Sequence, residues 1–137
     1  MKRYLVDTNA LISFVTDRNT TQQEFVAPLF EAAAAMKCRI ICPLHVLSEF
    51  VFVLERVYKV PKSTIRAIAQ EFMHLPGVEI CRDVDCTVLF QLWPDQVADF
   101  GDAVVAVVGK AMRGVQVVTF DERFAKELRT LGVAVFE

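Results

Sequence analysis

Short apolar runs alternate with longer amphipathic segments along the whole of this chain. The apolar runs predict five β-strands, at residues 4–7, 39–42, 78–81, 115–120 and 133–136. The segments between them predict seven helices, at residues 8–16, 20–37, 43–58, 61–75, 85–93, 99–112 and 121–131. Because strands alternate with helices, the sequence predicts an α/β fold with a mostly parallel central sheet flanked by helices on both faces. No linker or internal repeat interrupts the pattern, so we expect residues 1–137 to form a single domain.

Particular residues mark the predicted ends of the helices. Thr20 and Thr21 are candidate N-caps of the second helix, and Pro43 is predicted to open the third helix. Gly114 and Gly132 each follow a helical segment and are predicted to stop it, since glycine accepts the left-handed backbone of a helix C-terminus.

Composition narrows the class of protein. The chain is 54% apolar and 23% charged, with only 5 Gly and 5 Pro, which excludes disordered and fibrous proteins. Its apolar runs are too short to span a bilayer, and an acid at residue 7 interrupts any signal-peptide pattern. We therefore expect a soluble, cytoplasmic protein without membrane association. The net charge of −2 does not by itself indicate nucleic-acid binding.

The four cysteines do not predict a zinc site. Cys38 and Cys42 lie on one predicted strand, whose rise of ~3.3 Å per residue separates their sulfurs by about 13 Å, too far for one tetrahedral ion. We expect these two, together with Cys81 and Cys86, to be reduced and mostly buried thiols.

Acidic residues follow two of the predicted strands and begin a late helix. Asp7 ends the first strand and Asp121 follows the fourth, so both should lie at the carboxyl edge of the sheet, where α/β proteins gather their chemistry. Asp99 and Asp102 share one face of a helix. Each acid near a helix start has an ordinary alternative role as a cap, and Glu49 is adequately explained by a solvated helix face.

Several phosphate-binding classes are excluded at the first strand-to-helix turn. No glycine precedes Gly77, so a glycine-rich phosphate cradle is absent there. Asn9 stands where a haloacid-dehalogenase-type phosphatase needs a second Asp, and the acidic pair of a phospho-receiver is missing. Several carboxylates remain, and carboxylates packed together need a hard divalent cation to coexist.

Four short motifs resemble the PIN-domain nucleases and, within that family, the VapC-type toxins. The motifs stand in family order and cover essentially the whole chain, at residues 6–9, 47–49, 99–103 and 119–124. The resemblance implies four catalytic acids, which are Asp7, Glu49, Asp102 and Asp121. It implies three supporting residues, which are Asn9, Asp99 and Thr119. It also implies three principal metal ligands, which are Asp7, Asp102 and Asp99.

The implied function is Mg²⁺- or Mn²⁺-dependent hydrolysis of RNA, as the toxin of a toxin–antitoxin pair that forms a homodimer and binds a small antitoxin protein. A PIN nuclease of housekeeping RNA processing and a non-catalytic metal- or protein-binding module remain as alternatives. Setting aside five of the 17 acidic residues leaves 12 against 15 basic ones, a net charge of +3 for the remaining surface. Candidate RNA contacts are Lys59, Lys62, Arg66, Arg113 and Arg123. We expect His45 and His74 to be surface residues.

Overall fold

Five parallel strands form one sheet at the centre of the protein. The computed structural model describes all residues, Met1–Glu137. The strands are β1 (Arg3–Val6), β2 (Arg39–Pro43), β3 (Val78–Cys81), β4 (Gln116–Val118) and β5 (Ala134–Val135). Their order in the sheet is β3-β2-β1-β4-β5, and every neighbouring pair is parallel. The predicted α/β fold with a parallel sheet is confirmed.

Seven helices connect these strands. They are α1 (Thr8–Val15), α2 (Thr20–Ala34), α3 (Leu44–Arg56), α4 (Lys62–Met73), α5 (Cys86–Leu92), α6 (Phe100–Ala111) and α7 (Glu122–Thr130). Because crossovers between parallel strands are right-handed, the strand order places α1 to α4 on one face of the sheet and α5 to α7 on the other. None of the seven combines the length and the apolar character that a membrane-crossing helix requires.

One core of 34 buried apolar residues spans both faces of the sheet. Leu5 and Val6 of β1 are fully buried, as expected for the middle strand of a sheet covered on two sides. Helix α6 is buried along residues 103–109, where a Cβ added at Gly109 would lie only 3.0 Å from Val133 and in ordinary contact, at 3.6 Å, with Leu5 and Val117. The last turn of α6 is thereby packed against the middle of the sheet.

The bounds of β2, β4 and β5 differ from the sequence prediction, and β1 lies one residue earlier than predicted. Strand β4 has three residues rather than six, because its partner β1 stops pairing at Val6 and Thr119 turns toward Asp7 instead. Strand β5 has two residues rather than four, since it pairs only with this shortened β4. Pro43 ends β2 by pairing with Cys81 and precedes α3, rather than occupying its first position.

Helix ends match the prediction in part. The N-cap of α2 is Asn19, whose side chain accepts a 3.0 Å bond from an amide of the first turn, so the choice of Thr20 or Thr21 was wrong. Asn19 takes this role because it is the last residue with extended backbone before the helix. Gly114 and Gly132 have φ angles of 82° and 78°, which confirms their positions as stops after α6 and α7.

The cysteines are all free thiols. Cys38 and Cys42 are buried, and burial raises the pKa of the Cys42 thiol to about 12. Cys81 is half-buried and Cys86 is exposed, so the prediction of mostly buried thiols is correct for two residues and wrong for Cys86. Cys86 begins the short helix α5, whose buried positions fall at Leu89 and beyond.

Candidate functional site

Five carboxylates line one cavity of about 310 Å³ at the carboxyl edge of the sheet. Glu49 belongs to α3, and Asp102 lies in the first turn of α6. The other three acids directly precede α1, α6 and α7, and they are Asp7, Asp99 and Asp121. The chain separates Asp7 from Asp121 by more than a hundred residues, yet β1 and β4 are neighbours and end side by side. The parallel sheet therefore brings together all the acids that the sequence singled out.

Three of these acids also cap helices. Asp7, Asp99 and Asp121 each accept a hydrogen bond from a backbone N–H of the helix that follows, over 2.9, 3.0 and 3.1 Å. The capping role and the shared cavity are compatible, because each capping bond uses only one of the four lone pairs of a carboxylate. The capping bonds also fix the direction in which each side chain leaves its helix.

The carboxylate of Asp7 is the most tightly held. Its Oδ2 accepts hydrogen bonds from the Thr119 hydroxyl at 2.9 Å and from the Asn9 amide at 3.3 Å. Asn9 Oδ1 in turn accepts a 3.0 Å bond from the backbone N–H of Phe120. Asp7 is only 6% exposed. Asn9 and Thr119 therefore tie β1, α1 and the segment after β4 into one rigid support for this carboxylate.

Burial and mutual repulsion raise the pKa of two acids. The pKa of Asp7 rises to about 6, chiefly because the side chain is buried, although its hydrogen bond from Thr119 opposes the rise. The pKa of Asp102 rises to about 8, first through burial and then through the charges of Asp7, Asp99 and Asp121. Arg123 lies 3.9 Å from Asp102 and offsets this only in part. The pocket concentrates more negative charge than its own residues neutralise.

Two contacts at the site had little signal in the sequence. The buried Thr8 donates its hydroxyl to Glu49 Oε2 at 2.8 Å, across 41 residues of chain, and so holds α3 against the start of α1. His45, one helical turn before Glu49, lies 3.0 Å from the Gly101 carbonyl through Nε2 and is half-buried, so its prediction as a surface residue was wrong. Burial lowers the pKa of His45. His74 is exposed, as predicted.

Two arginines line the acidic cavity. Arg123 is one of them, as the sequence suggested, whereas Arg18 was missed. Arg113 precedes β4 and therefore lies at the amino edge of the sheet, away from the cavity. Its prediction as a contact for RNA bound at the cavity was therefore wrong. The other candidates, Lys59, Lys62 and Arg66, are not part of the cavity wall.

The donor chemistry of the cavity fits Mg²⁺ or Mn²⁺. No group of three His, Cys, Asp or Glu side chains forms a complete metal site on its own. Mg²⁺ is not usually enclosed in that way, because it retains several waters and binds through one or two carboxylates plus substrate phosphates. Asp102 offers a carboxylate that is 15% exposed and has only the long contact to Arg123. Oxygen donors, excess negative charge and room for bound water together suit a hydrated divalent cation.

Comparison with known proteins agrees with this architecture. The family model for the PIN domain matches residues 4–127. No curated protein matches the chain. A chain from the crystal structure of VapBC2 from Rickettsia felis, bound to a DNA fragment from their promoter, shares the fold with a TM-score of 0.67 and 16% sequence identity, over 98% of this chain and 97% of that chain. Since the family match spans most of its length, this chain belongs to the PIN domain family.

Proposed function

We propose that this PIN domain is a divalent-metal-dependent endoribonuclease and the toxin of a VapBC-type toxin–antitoxin pair. The observation that carries the proposal is the convergence of four acids in one cavity of a chain from a nuclease family, namely Asp7, Glu49, Asp102 and Asp121. None of the four acidic positions has been replaced. Hydrolysis of a phosphodiester next to so many carboxylates requires a cation, because otherwise the pocket repels the substrate.

Asp7, Asp102 and Asp99 are the residues that would hold Mg²⁺ or Mn²⁺. Asp7 is fixed by Asn9 and Thr119 at Oδ2 and by its capping bond at Oδ1, so the remaining lone pair of Oδ1 points in a constant direction. The Asp99 carboxylate is held at the start of α6 by the capping bond from the backbone N–H of Asp102, whose own side chain leaves the same helical turn. The bound cation would supply Lewis-acid polarisation of the phosphate and a hydroxide from bound water near neutral pH.

The two remaining acids of the site are Glu49 and Asp121, and hydrogen bonds fix the position of each. Glu49 accepts a hydrogen bond from the Thr8 hydroxyl at Oε2, which leaves Oε1 to accept a proton from water at the cavity. Asp121 is oriented by its cap to α7 and by the bond from its own N–H to the Thr119 hydroxyl. Both carboxylates thus reach the cavity from rigid helices, and they complete the negative cluster that draws in the cation.

The proposed partners are an RNA substrate, a second copy of the chain and a small antitoxin protein. The similar VapBC2 structure supports the toxin assignment through its fold. Large apolar side chains that remain exposed give surfaces for association, including Phe52 at 57%, Val57 at 64% and Phe90 at 63%. We propose the cytoplasm as the location of this activity, since the proposed RNA substrate and antitoxin are found there.

A cleavage assay on a single-stranded RNA and on a DNA of the same sequence tests the proposed activity. We expect cleavage of the RNA in Mg²⁺ or Mn²⁺, loss of cleavage in EDTA, and little or no cleavage of the DNA. Cleavage that persists in EDTA, or an inert protein, would overturn the proposal. The toxin role is tested separately, because expression should arrest growth and co-expression of the neighbouring reading frame should relieve the arrest; a housekeeping nuclease would show neither effect.

A further inference from the structure

Arg18 is a cation held at the acidic cavity without an acidic partner. It lies in the segment between α1 and α2 and forms part of the cavity wall. Its Nη2 donates to the backbone carbonyl of Asn9 at 2.9 Å, and its Nε donates to the Ser13 hydroxyl at 3.0 Å. No carboxylate stands within 4.0 Å of the guanidinium nitrogens, since the four ion pairs of the protein involve other arginines. The positive charge of Arg18 is therefore not paired within the protein and can attract an anionic ligand.

A buried hydroxyl supports this arginine. Ser13 is 0% exposed and is one of three buried polar residues; the other two, Asp7 and Thr8, both belong to the site. Ser13 accepts the bond from Arg18 and donates its own proton to the Gln22 side chain at 2.7 Å. Burying a hydroxyl is unfavourable unless it is hydrogen-bonded, and here the bonds connect the core to Arg18. The buried Ser13 hydroxyl thus anchors the Arg18 guanidinium to the core.

The free part of the guanidinium suits a phosphate. Two of its five N–H groups are used, on Asn9 and Ser13, which leaves three donors for a ligand. A planar guanidinium matches the geometry of phosphate oxygens, and a fixed one loses less entropy on binding. Both arginines of the cavity are exposed, but Arg123 makes a 3.9 Å contact with Asp102. Of the two, only Arg18 is anchored by hydrogen bonds and has no carboxylate within 4.0 Å of its guanidinium nitrogens.

We propose that Arg18 binds a non-scissile phosphate of the RNA chain and so positions the strand across the acidic cavity. This inference rests on the proposed ribonuclease function, and it adds Arg18 to the residues that bind the RNA substrate. A phosphate that does not react is bound equally in the ground state and in the transition state. Loss of its contact therefore raises KM and leaves kcat nearly unchanged.

Steady-state kinetics of Arg18→Gln test the proposal, with Arg39→Gln as the matched control. Arg39 is an exposed arginine at the amino edge of the sheet, with only a 3.7 Å surface pair to Glu79, so it controls for the loss of one positive charge. We expect KM to rise about tenfold in Arg18→Gln, with kcat within about twofold of wild type. The slope of log KM against log salt should also fall by about 0.7, the value for one phosphate contact on a single strand. Arg18→Lys, which keeps the charge but loses the two-point anchor, should be intermediate.

A second variant removes the support without changing the charge. Ser13→Ala should raise KM in the same direction, and the double variant with Arg18→Gln should add little further, because both act through one contact. Equal KM values and salt slopes for Arg18→Gln, Arg39→Gln and the wild type would overturn the inference while the ribonuclease proposal stands. A fall in kcat with unchanged KM would also overturn it. A wild type that cleaves no RNA would defeat the proposed function, and the role of Arg18 with it.

Discussion

Neutralising Asp102 should stabilise the folded protein, and the effect should depend on pH. The pKa of this carboxyl is about 8 in the folded state, against an ordinary value of 3.8. Between these values the folded protein binds more protons at this site than the unfolded chain does, so the wild type loses stability as pH rises through that window. Asp102→Asn cannot ionise, and it keeps nearly the same volume. Its advantage over the wild type should therefore grow as pH rises from 4 toward 8.

The structure bounds the size of this effect. At pH 7 the group lies about 3 pH units above its unfolded pKa, which at ~1.36 kcal/mol per unit gives an upper bound of about 4 kcal/mol. Rearrangement of water and side chains in the open cavity reduces this value, and loss of a charge in the first turn of α6 costs ~0.3–1 kcal/mol. We expect a net gain of about 1–3 kcal/mol, or roughly 3–10 °C in Tm for a domain of this size.

Thermal melts in EDTA, at about pH 5 and about pH 8, measure the gain and its pH dependence. Asp85→Asn is the matched control, because Asp85 is an exposed N-cap of α5 outside the acidic cavity and Asn caps equally well. Mg²⁺ should stabilise the wild type and Asp85→Asn, and it should stabilise Asp102→Asn much less. The reasoning is refuted if Asp102→Asn is destabilised at about pH 8 while the wild type is indifferent to Mg²⁺.

Two further predictions concern individual contacts of the site, and a third concerns the proposed partners. Thr119→Val removes the hydroxyl that holds Asp7, so the Mg²⁺ concentration for half-maximal cleavage should rise about tenfold; an unchanged Mg²⁺ titration would contradict that role. Thr8→Val frees Glu49 and should lower kcat about tenfold with little change in KM, measured by steady-state kinetics; a rise in KM alone would argue against a role for Glu49 in the chemistry. Light scattering should show a dimer of the chain and a larger complex with its genomic neighbour, and a strict monomer in both samples would contradict the proposed partners.

The order of the elements was readable from the sequence, because each strand and helix has its own local pattern. Asp7 and Asp121 could also be placed, since both follow strands and parallel strands end at one edge. The lengths of β4 and β5 could not be predicted, because a strand ends where its partner stops pairing. For β4 that point is set by Val6, more than a hundred residues away.

The rest of the site depends on packing between distant segments. On a helical wheel Glu49 is an ordinary polar residue, and its contact with Thr8 at the cavity depends on the packing of α3 against α1. Arg18 lies in a short polar segment without periodicity, and its significance follows from the burial of Ser13, which α1 and α2 create together. The resemblance to a known family supplied Glu49, whereas Arg18 required the structure.

Single-turnover cleavage of a short RNA, measured over a series of Mg²⁺ concentrations, tests most directly whether these acids form one metal-dependent active site. The wild type and the Asp85→Asn control should cleave at the same rate and stop when Mg²⁺ is chelated. Asp7→Asn and Asp102→Asn should each be slower by about a hundredfold or more, which corresponds to about 2.7 kcal/mol of lost transition-state stabilisation. Undiminished cleavage by either variant, at the same Mg²⁺ midpoint as the wild type, would contradict the account.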